Sequence, residues 1–334
     1  MNNQYPIFTK TDEKDPAIWK PRGWVGRFYK IFSGLQFTRK ELHLSEDLCL
    51  IQTDLHQGRI KVGGLIAPGR LTISFYEGSD ATRLNGGSTE RAKMAISYNA
   101  CKWDAAIQSP ASSIVINFSE ILAAQIVSEP GHAFLMAGNY TSSGDRLSHV
   151  ISATPTAEKL KNAIQSGIIL AENHETFYRE DNTSAWLSED LISLTSCLVD
   201  EISDLDLEIS SKGEVSRYNL ASEIEKLLWS SPNTENIPDM TLDGLASKFK
   251  CSRRQIQAAI MENFGVGFTE LKRSIRLHQA YDVLNNNGSQ RNVSSVAYAY
   301  EFEHLSRFSQ HYKDMFGVLP SKHLAKTMGK EPRS

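Results

Sequence analysis

A chain of 334 residues has room for two or three domains and a substantial buried core. With 40% hydrophobic and 22% charged residues, and no apolar run near the roughly 18 residues of a bilayer span, it carries no candidate membrane helix. The net charge of −3 hides an asymmetry: residues 237–334 hold 14 Lys+Arg against 9 Asp+Glu, leaving 22 against 30 for the remainder, so any attraction to a polyanion belongs to the carboxy-terminal part. The polar stretch from Met1 to Pro16 lacks the basic and apolar regions of a signal peptide, and a cytoplasmic location is expected.

Four cysteines, Cys49, Cys101, Cys197 and Cys251, lie far apart without a CxxC pair, which argues against a zinc knuckle or a redox motif. The histidines are equally scattered, with no HExxH or HxH pairing. No metal and no cofactor are expected from these patterns.

From about Leu35 to Phe118 short runs alternate with period two: Ile60 and Val62; Leu71, Ile73 and Phe75; Met94, Ile96 and Tyr98; Ile114, Ile116 and Phe118. Gly63-Gly64, Pro68-Gly69 and Asn85-Gly86-Gly87 break them, as turns between antiparallel strands require. An antiparallel barrel or sandwich follows. From Ser119 the pattern becomes helical through Ile121 to Val127; a strand is predicted near Val150 and a further helix after Pro155. Aromatic residues in the strand region, Phe75, Tyr76, Tyr98 and Trp103, can line a cavity but more often form plain core. Arg59, Arg70, Arg83 and Lys93 are of the type that holds a carboxylate effector, though each reads first as a solvated surface charge.

Leu187, Leu191, Leu194, Leu198, Ile202 and Leu205 step by three or four and line one helical stripe. A stripe so narrow either pairs with its copy in a second subunit or packs on its own barrel; the dimer seam is the reading taken. Ser210-Ser211-Lys212-Gly213 reads as a hinge, a helix follows through Leu220, Ile224, Leu227 and Leu228, and the proline-bearing stretch from Ser230 to Pro238 closes this part.

Leu242, Leu245, Ala246 and Phe249 then mark a short amphipathic helix with Thr241 as its N-cap. Ser252 opens a longer helix with Gln255 three residues on, the spacing of a capping box, and Gly265 stands where a left-handed C-cap is needed. Ile256, Ala259, Ile260 and Phe264 form its apolar face. Arg253, Arg254 and Gln257 lie opposite, at its amino-terminal end. Arg suits guanine O6 and N7 and Gln suits adenine N6 and N7 in a major groove, which a recognition helix approaches by its first residues.

The pattern recurs some fifty residues later. Adding 51 to the four apolar positions of the short helix gives Val293, Val296, Ala297 and Tyr300; adding 52 to Ile256, Ile260, Phe264 and Gly265 gives Phe308, Tyr312, Phe316 and Gly317. The one-residue slip falls in the turn, so two copies of one unit are implied. A helix from about Thr269 to Leu284 connects them, with Leu271, Ile275, Ala280 and Leu284 inward and Lys272, Arg273 and Arg276 outward; Asn285-Asn286-Asn287-Gly288 ends it. Two recognition helices entering successive major grooves must lie about 34 Å apart, or the DNA must bend.

Residues 237 to 325 resemble the tandem helix-turn-helix domain of AraC/XylS-type transcription regulators. The first unit matches in LDGLASKFKCSRRQIQ and the connector RLHQA, the second in VAYAYEFEHLSRFSQHYKDMFGVLPSKH, where Val296, Ala297, Phe302, Ser306, Phe308, Tyr312, Lys313, Phe316, Gly317 and Pro320 fit the family pattern without a break in spacing. Glu301 stands where the family has glycine, and His323-Leu324 where it ends on an aromatic-arginine pair. Carried over residue by residue, the resemblance implies DNA contacts from Ser252, Arg253, Arg254, Gln257 and Ala258 in the first unit and from His304, Ser306, Arg307 and Gln310 in the second, with Lys313 on the phosphate backbone. It implies a degenerate cupin-like barrel in front that binds an effector or mediates dimerisation; His43, His56 and His132 do not supply the histidine-rich strand motif of a metal-binding cupin.

The expected architecture is therefore α+β: a strand-rich, cupin-like regulatory barrel with helices over residues 1–185, a helical dimerisation segment at 186–212, a linker helix and loop at 213–236, and an all-α domain of two helix-turn-helix units joined by a connecting helix at 237–330. The expected function is a sequence-specific, non-enzymatic transcription regulator, an activator under control of a small-molecule effector or of dimerisation. Its partners would be double-stranded promoter DNA, RNA polymerase, an effector and a second copy of the chain. The alternative is a barrel-type small-molecule sensor or enzyme with an accessory helical module, which requires a convergent cluster of titratable groups.

Overall fold

The computed structural model describes residues 5–13, 24–31, 34–78, 82–85, 87–88, 94–137, 140–141, 144–174, 182–204, 212–230, 240–286 and 292–327. The chain forms two compact units. One comprises residues 1–28, 36–57 and 61–215; the other comprises 29–35, 58–60 and 216–334.

The first unit is barrel-like and built on two sheets. Strands β1 (Ile7–Glu13), β3 (Gln36–His43), β4 (Leu48–Gln57), β6 (Leu71–Gly78), β9 (Met94–Tyr98), β11 (Ala111–Phe118) and β12 (His149–Ile151) form an antiparallel sheet in the order β1-β3-β4-β11-β6-β9-β12. A five-stranded sheet runs β2 (Trp24–Lys30), β5 (Arg59–Ile66), β10 (Lys102–Gln108), β7 (Arg83–Leu84) and β8 (Gly87–Ser88). The alternation read from sequence places Leu71, Ile73, Phe75, Met94, Ile96, Ile114, Ile116 and Phe118 in one core. Two strands lie ahead of the predicted region. β1 is an edge strand of largely polar sequence whose Ile7 is exposed, so it carries little of the buried alternation that makes a strand visible.

Helices α1 (Glu120–Ile126), α2 (Glu129–Met136), α3 (Pro155–Asn173) and α4 (Thr183–Ser203) close that core from one side. Ser119, Ser128 and Thr154 cap the first three, each accepting a backbone amide through its hydroxyl. The leucine stripe lies on α4, and here the sequence reading is corrected. Leu191, Leu198 and Ile202 are buried, and Leu187 and Leu194 half-buried, in the same core as the sheet, so the stripe is spent within its own unit. Leu205 lies outside the described residues, as do Ser210, Ser211 and the stretch 231–239. Phe75, Tyr76 and Trp103 are also core: Trp103 meets Trp24 edge-on at 5.3 Å and stacks on Tyr76 at 6.3 Å.

The second unit contains α5 (Lys212–Ser230), α6 (Leu242–Phe249), α7 (Arg253–Phe264), α8 (Phe268–Asn286), α9 (Val293–Ala299), α10 (Leu305–Phe316) and α11 (Pro320–Thr327). The helix read as a linker, α5, belongs to this unit, contributing Ala221, Ile224 and Leu228 to the core of the first repeat. The two repeats have separate cores that share the connector α8. Leu271 and Ile275 lie in the first, Leu277, Ala280 and Leu284 in the second.

Tyr29–Leu35 joins this unit from far away in sequence. Tyr29 and Ile31 are buried in the core of the first repeat, and the Tyr29 hydroxyl donates to Glu225 of α5 at 2.9 Å. The Lys30 carbonyl accepts from Ser274 Oγ at 2.6 Å and lies 3.2 Å from His278 Nε2, both on α8. Lys30 Nζ donates to the Met315 carbonyl on α10 at 3.0 Å. One short strap thus holds α5, the connector and the end of α10. Arg59, read as a surface charge, is buried in the same unit.

His278 is buried, and burial pushes its imidazole down to about 3, with the Lys30 charge acting in the same direction. The folded chain holds this ring neutral while the unfolded chain protonates it near pH 6.5. Stability is therefore complete above about pH 6.5 and is lost progressively as pH falls from there towards about 3. Melting His278→Gln beside the parent from pH 7.5 to 5 should show a shallower acid-side loss in the variant; parallel curves would exclude the assignment.

Candidate DNA interface

Each repeat builds the same corner from local chemistry. In the first, the Gly244 amide donates to Thr241 Oγ1 at 3.1 Å and starts α6. Lys250 ends α6 in the left-handed region, φ 50°, and the chain re-enters a helix at Ser252. There the predicted capping box forms: the Gln255 amide donates to Ser252 Oγ at 3.2 Å while the Ser252 amide donates to Gln255 Oε1 at 2.8 Å. Gly265 closes α7 at φ 65°.

In the second repeat Asn292 caps α9 by accepting from the Ser295 amide at 2.7 Å. Glu301, the counterpart of Lys250, is left-handed at φ 61°. The turn is kept without the family's glycine, at a strain of about 1–2 kcal/mol that glycine would avoid. Its carboxylate is anchored by ion pairs to Arg276 and, at 3.7 Å, to Lys272. His304 stands at the N-cap of α10 without a side-chain cap bond, and Gly317 ends it at φ 75°. His323, which stands where the family has a terminal aromatic residue, is buried in the second repeat. It lies tilted over Tyr281 at 4.6 Å, with Nδ1 2.5 Å from the Tyr312 hydroxyl, whose pKa is raised by burial.

The apolar faces of the longer helices turn inward as read. Ile256, Ala259, Ile260 and Phe264 are buried on α7, and Phe308 and Tyr312 on α10. All ten residues singled out from sequence are exposed: Ser252, Arg253, Arg254, Gln257 and Ala258 about α7, and His304, Ser306, Arg307, Gln310 and Lys313 about α10. They fall into two groups that begin at the amino termini of α7 and α10, where partial positive charge favours phosphate, and Lys313 lies in the last turn of α10.

Intramolecular partners modify three of these positions. Arg253 is ion-paired with Asp243 of α6, which joins the two helices of the corner. Gln310 donates to Asp314 one turn on at 2.6 Å. Ser252 is committed to the capping box. The side chains of Arg254, Gln257 and Arg307 form no hydrogen bond or ion pair among the described residues. The connector departs from the sequence reading: Lys272 donates to the Met240 carbonyl, Arg273 pairs with Glu270, and the Arg276 side chain is only 14% exposed, so these cations serve the fold. Sequence reasoning passed over Lys248 and Lys250, exposed at the corner of the first repeat. Their place in the turn beside the recognition helix was the available signal.

Two capped helix pairs, each presenting Arg and Gln from the start of its longer helix, define a tandem helix-turn-helix DNA-binding domain. Residues 245–326 match the family model described as "Helix-turn-helix domain". The matched residues form a helix-turn-helix domain, a class that binds DNA. The search of curated proteins gave no match.

Among solved structures, the chain is similar to a probable AraC family transcriptional regulator from Rhodopseudomonas palustris CGA009, at 25% identity over 34% of this chain and 99% of that one, with a TM-score of 0.29. It is also similar to ToxT from Vibrio cholerae O395, at 13% identity over 92% of this chain and 100% of that one, TM-score 0.29. The carboxy-terminal domain of AraT from Geobacillus stearothermophilus matches at 19% identity over 32% and 84%, TM-score 0.28. Scores this low do not carry a function across. No helix among the described residues is long and apolar enough to cross a membrane.

Proposed function

We propose that the chain is a sequence-specific regulator that places α7 and α10 in successive major grooves of double-stranded promoter DNA. The observation that supports this is the pair of matched corners, in which Lys250 and Glu301 both take a left-handed φ, 50° and 61°, and Arg254, Gln257 and Arg307 lie exposed at the starts of the two longer helices. Arg254 and Arg307 read guanine edges, Gln257 reads adenine, and Lys313 with Lys248 and Lys250 meets phosphates. Arg253, held by Asp243, contacts the backbone or braces the corner. The protein acts without enzymatic chemistry, as an activator that engages RNA polymerase, with the barrel-like unit supplying effector control. A dimer, where it forms, uses a surface other than the leucine stripe, since that stripe is occupied within its own unit.

Selection of genomic fragments by the full-length protein, followed by footprinting, tests the reading. Two protected blocks about one helical turn apart are expected; no enrichment over random DNA would overturn it. On the selected site Arg254→Ala should cost about 1–3 kcal/mol and relax base choice at one position. An equal loss on every sequence, with a shallower salt dependence, would reassign Arg254 to phosphate.

A further inference from the structure

Histidines and cysteines are scattered along the chain, and their spacing alone points to no metal. Strand register changes this. Glu41 and His43 are two apart on β3 and so share a face of the sheet, and His43 lies directly opposite Cys49 of β4. The ligand atoms of the three side chains lie within 4.8 Å of one another.

Both neighbours of His43 converge on the same ring nitrogen. Glu41 Oε2 is 3.2 Å and Cys49 Sγ 3.8 Å from His43 Nε2. A nucleophile–base–acid relay needs the thiol and the carboxylate on opposite nitrogens of the ring, so this is not a catalytic triad. Convergence on one point is what coordination requires. With zinc bond lengths of about 2.0–2.3 Å, the edges of a tetrahedral site are roughly 3.3 Å between nitrogen and oxygen and roughly 3.6 Å between nitrogen and sulfur. The observed separations differ from these by a few tenths of an ångström or less.

The surroundings support the same use. The other oxygen of Glu41 is held by the buried Arg39 guanidinium, which leaves Oε2 as the monodentate donor. The three side chains border a cavity of about 50 Å³, enough for an ion with a bound water, and all three are partly exposed. Its lining carries three carboxylates, of Glu41, Glu46 and Asp47, against the guanidiniums of Arg39 and Arg70. The β3–β4 hairpin is fixed independently of any ion: the Leu44 and Ser45 amides both donate to the Leu48 carbonyl, at 3.0 and 3.3 Å, and the Asp47 amide donates to Ser45 Oγ at 3.1 Å.

We propose that Glu41, His43 and Cys49 bind one divalent ion of the zinc class, through carboxylate, imidazole and thiolate, with the fourth position open to water. The thiol proton leaves to solvent as the ion binds. The donor set, one soft sulfur with one nitrogen and one oxygen, selects zinc-like ions over calcium or magnesium.

The test is cobalt(II) titration of the chelator-treated, full-length protein. One equivalent should bring up tetrahedral visible bands and a thiolate-to-cobalt charge-transfer band, both abolished by an equivalent of zinc. Cys49→Ser should remove the charge-transfer band, and His43→Gln should weaken binding at least about tenfold; Cys197→Ser, at an exposed cysteine outside the cluster, should change neither. A parent protein without the band, or a band that survives in Cys49→Ser, overturns the proposal. A second measurement needs no variant: zinc should slow alkylation of Cys49 at least about tenfold and leave Cys197 unaffected, as read by mass spectrometry of the parent chain. Equal rates with and without zinc at Cys49 overturn it as well.

Discussion

Tyr29→Ala is expected to destabilise the second unit by about 3–5 kcal/mol, the cost of truncating a fully enclosed aromatic side chain. Tyr29 is 1% exposed, packs edge-on against Trp229 at 5.3 Å and against His278 at 5.6 Å, and closes the core that holds α5, α7 and α8. A chain of two units need not melt in one step, so the reading should be local. Amide exchange in α5 and α8 should accelerate in Tyr29→Ala while the strands β4 and β11 keep their protection. Tyr29→Phe removes the bond to Glu225 and keeps the ring, and should cost about 1 kcal/mol. An alanine variant whose helical amides exchange at the parent rate would show that the strap contributes nothing to the DNA-binding unit.

That strap is also the clearest case of what the sequence does not reveal. Lys30 meets Met315 across 285 positions and His278 across 248. No periodicity or cap links residues so far apart, and Tyr29-Lys30-Ile31 lies ahead of the region read as strands. The helix-turn-helix corners were legible for the opposite reason. Their determinants are local: hydroxyl or amide caps, apolar residues at helical spacing, a closing glycine, all repeated once. Even there, locality reached only so far. The pattern placed Arg253 and Arg254 side by side as equals, while the fold pairs one with Asp243 and leaves the other exposed. Lys272 and Arg276 looked solvated because their partners Met240 and Glu301 come from other elements, whereas Arg273 pairs with Glu270 one turn back on its own helix.

The barrel-like unit was legible as alternation and turns, but its chemistry depended on register. Glu41, His43 and Cys49 are unremarkable as a spacing of two and six; only the pairing of His43 with Cys49 across β3 and β4 brings a thiol, an imidazole and a carboxylate together. The leucine stripe failed as a dimer signal because helical spacing reports that one face is covered without reporting by what. Here α1, α2 and α3 cover it.

The twin glycines separate backbone strain from packing. Gly265 and Gly317 end α7 and α10 at nearly the same left-handed φ, 65° and 75°, so alanine at either should cost about 1–2 kcal/mol for the backbone alone. Their surroundings differ. A Cβ at Gly317 has no described heavy atom within 4 Å, whereas one at Gly265 would collide with the guanidinium of Arg59, which is only 4% exposed. Moving that buried group adds an overpacking cost of about 1–3 kcal/mol. Gly265→Ala should therefore lose about 2–5 kcal/mol, distinctly more than Gly317→Ala, by denaturation of the full chain followed through exchange in α7 and α10. Gly265→Ala in an Arg59→Ala background should recover the packing part and keep only the backbone part. Equal losses at the two glycines would mean that Arg59 yields freely, and that Gly58–Ile60 is a bystander to the helical unit rather than a piece of it.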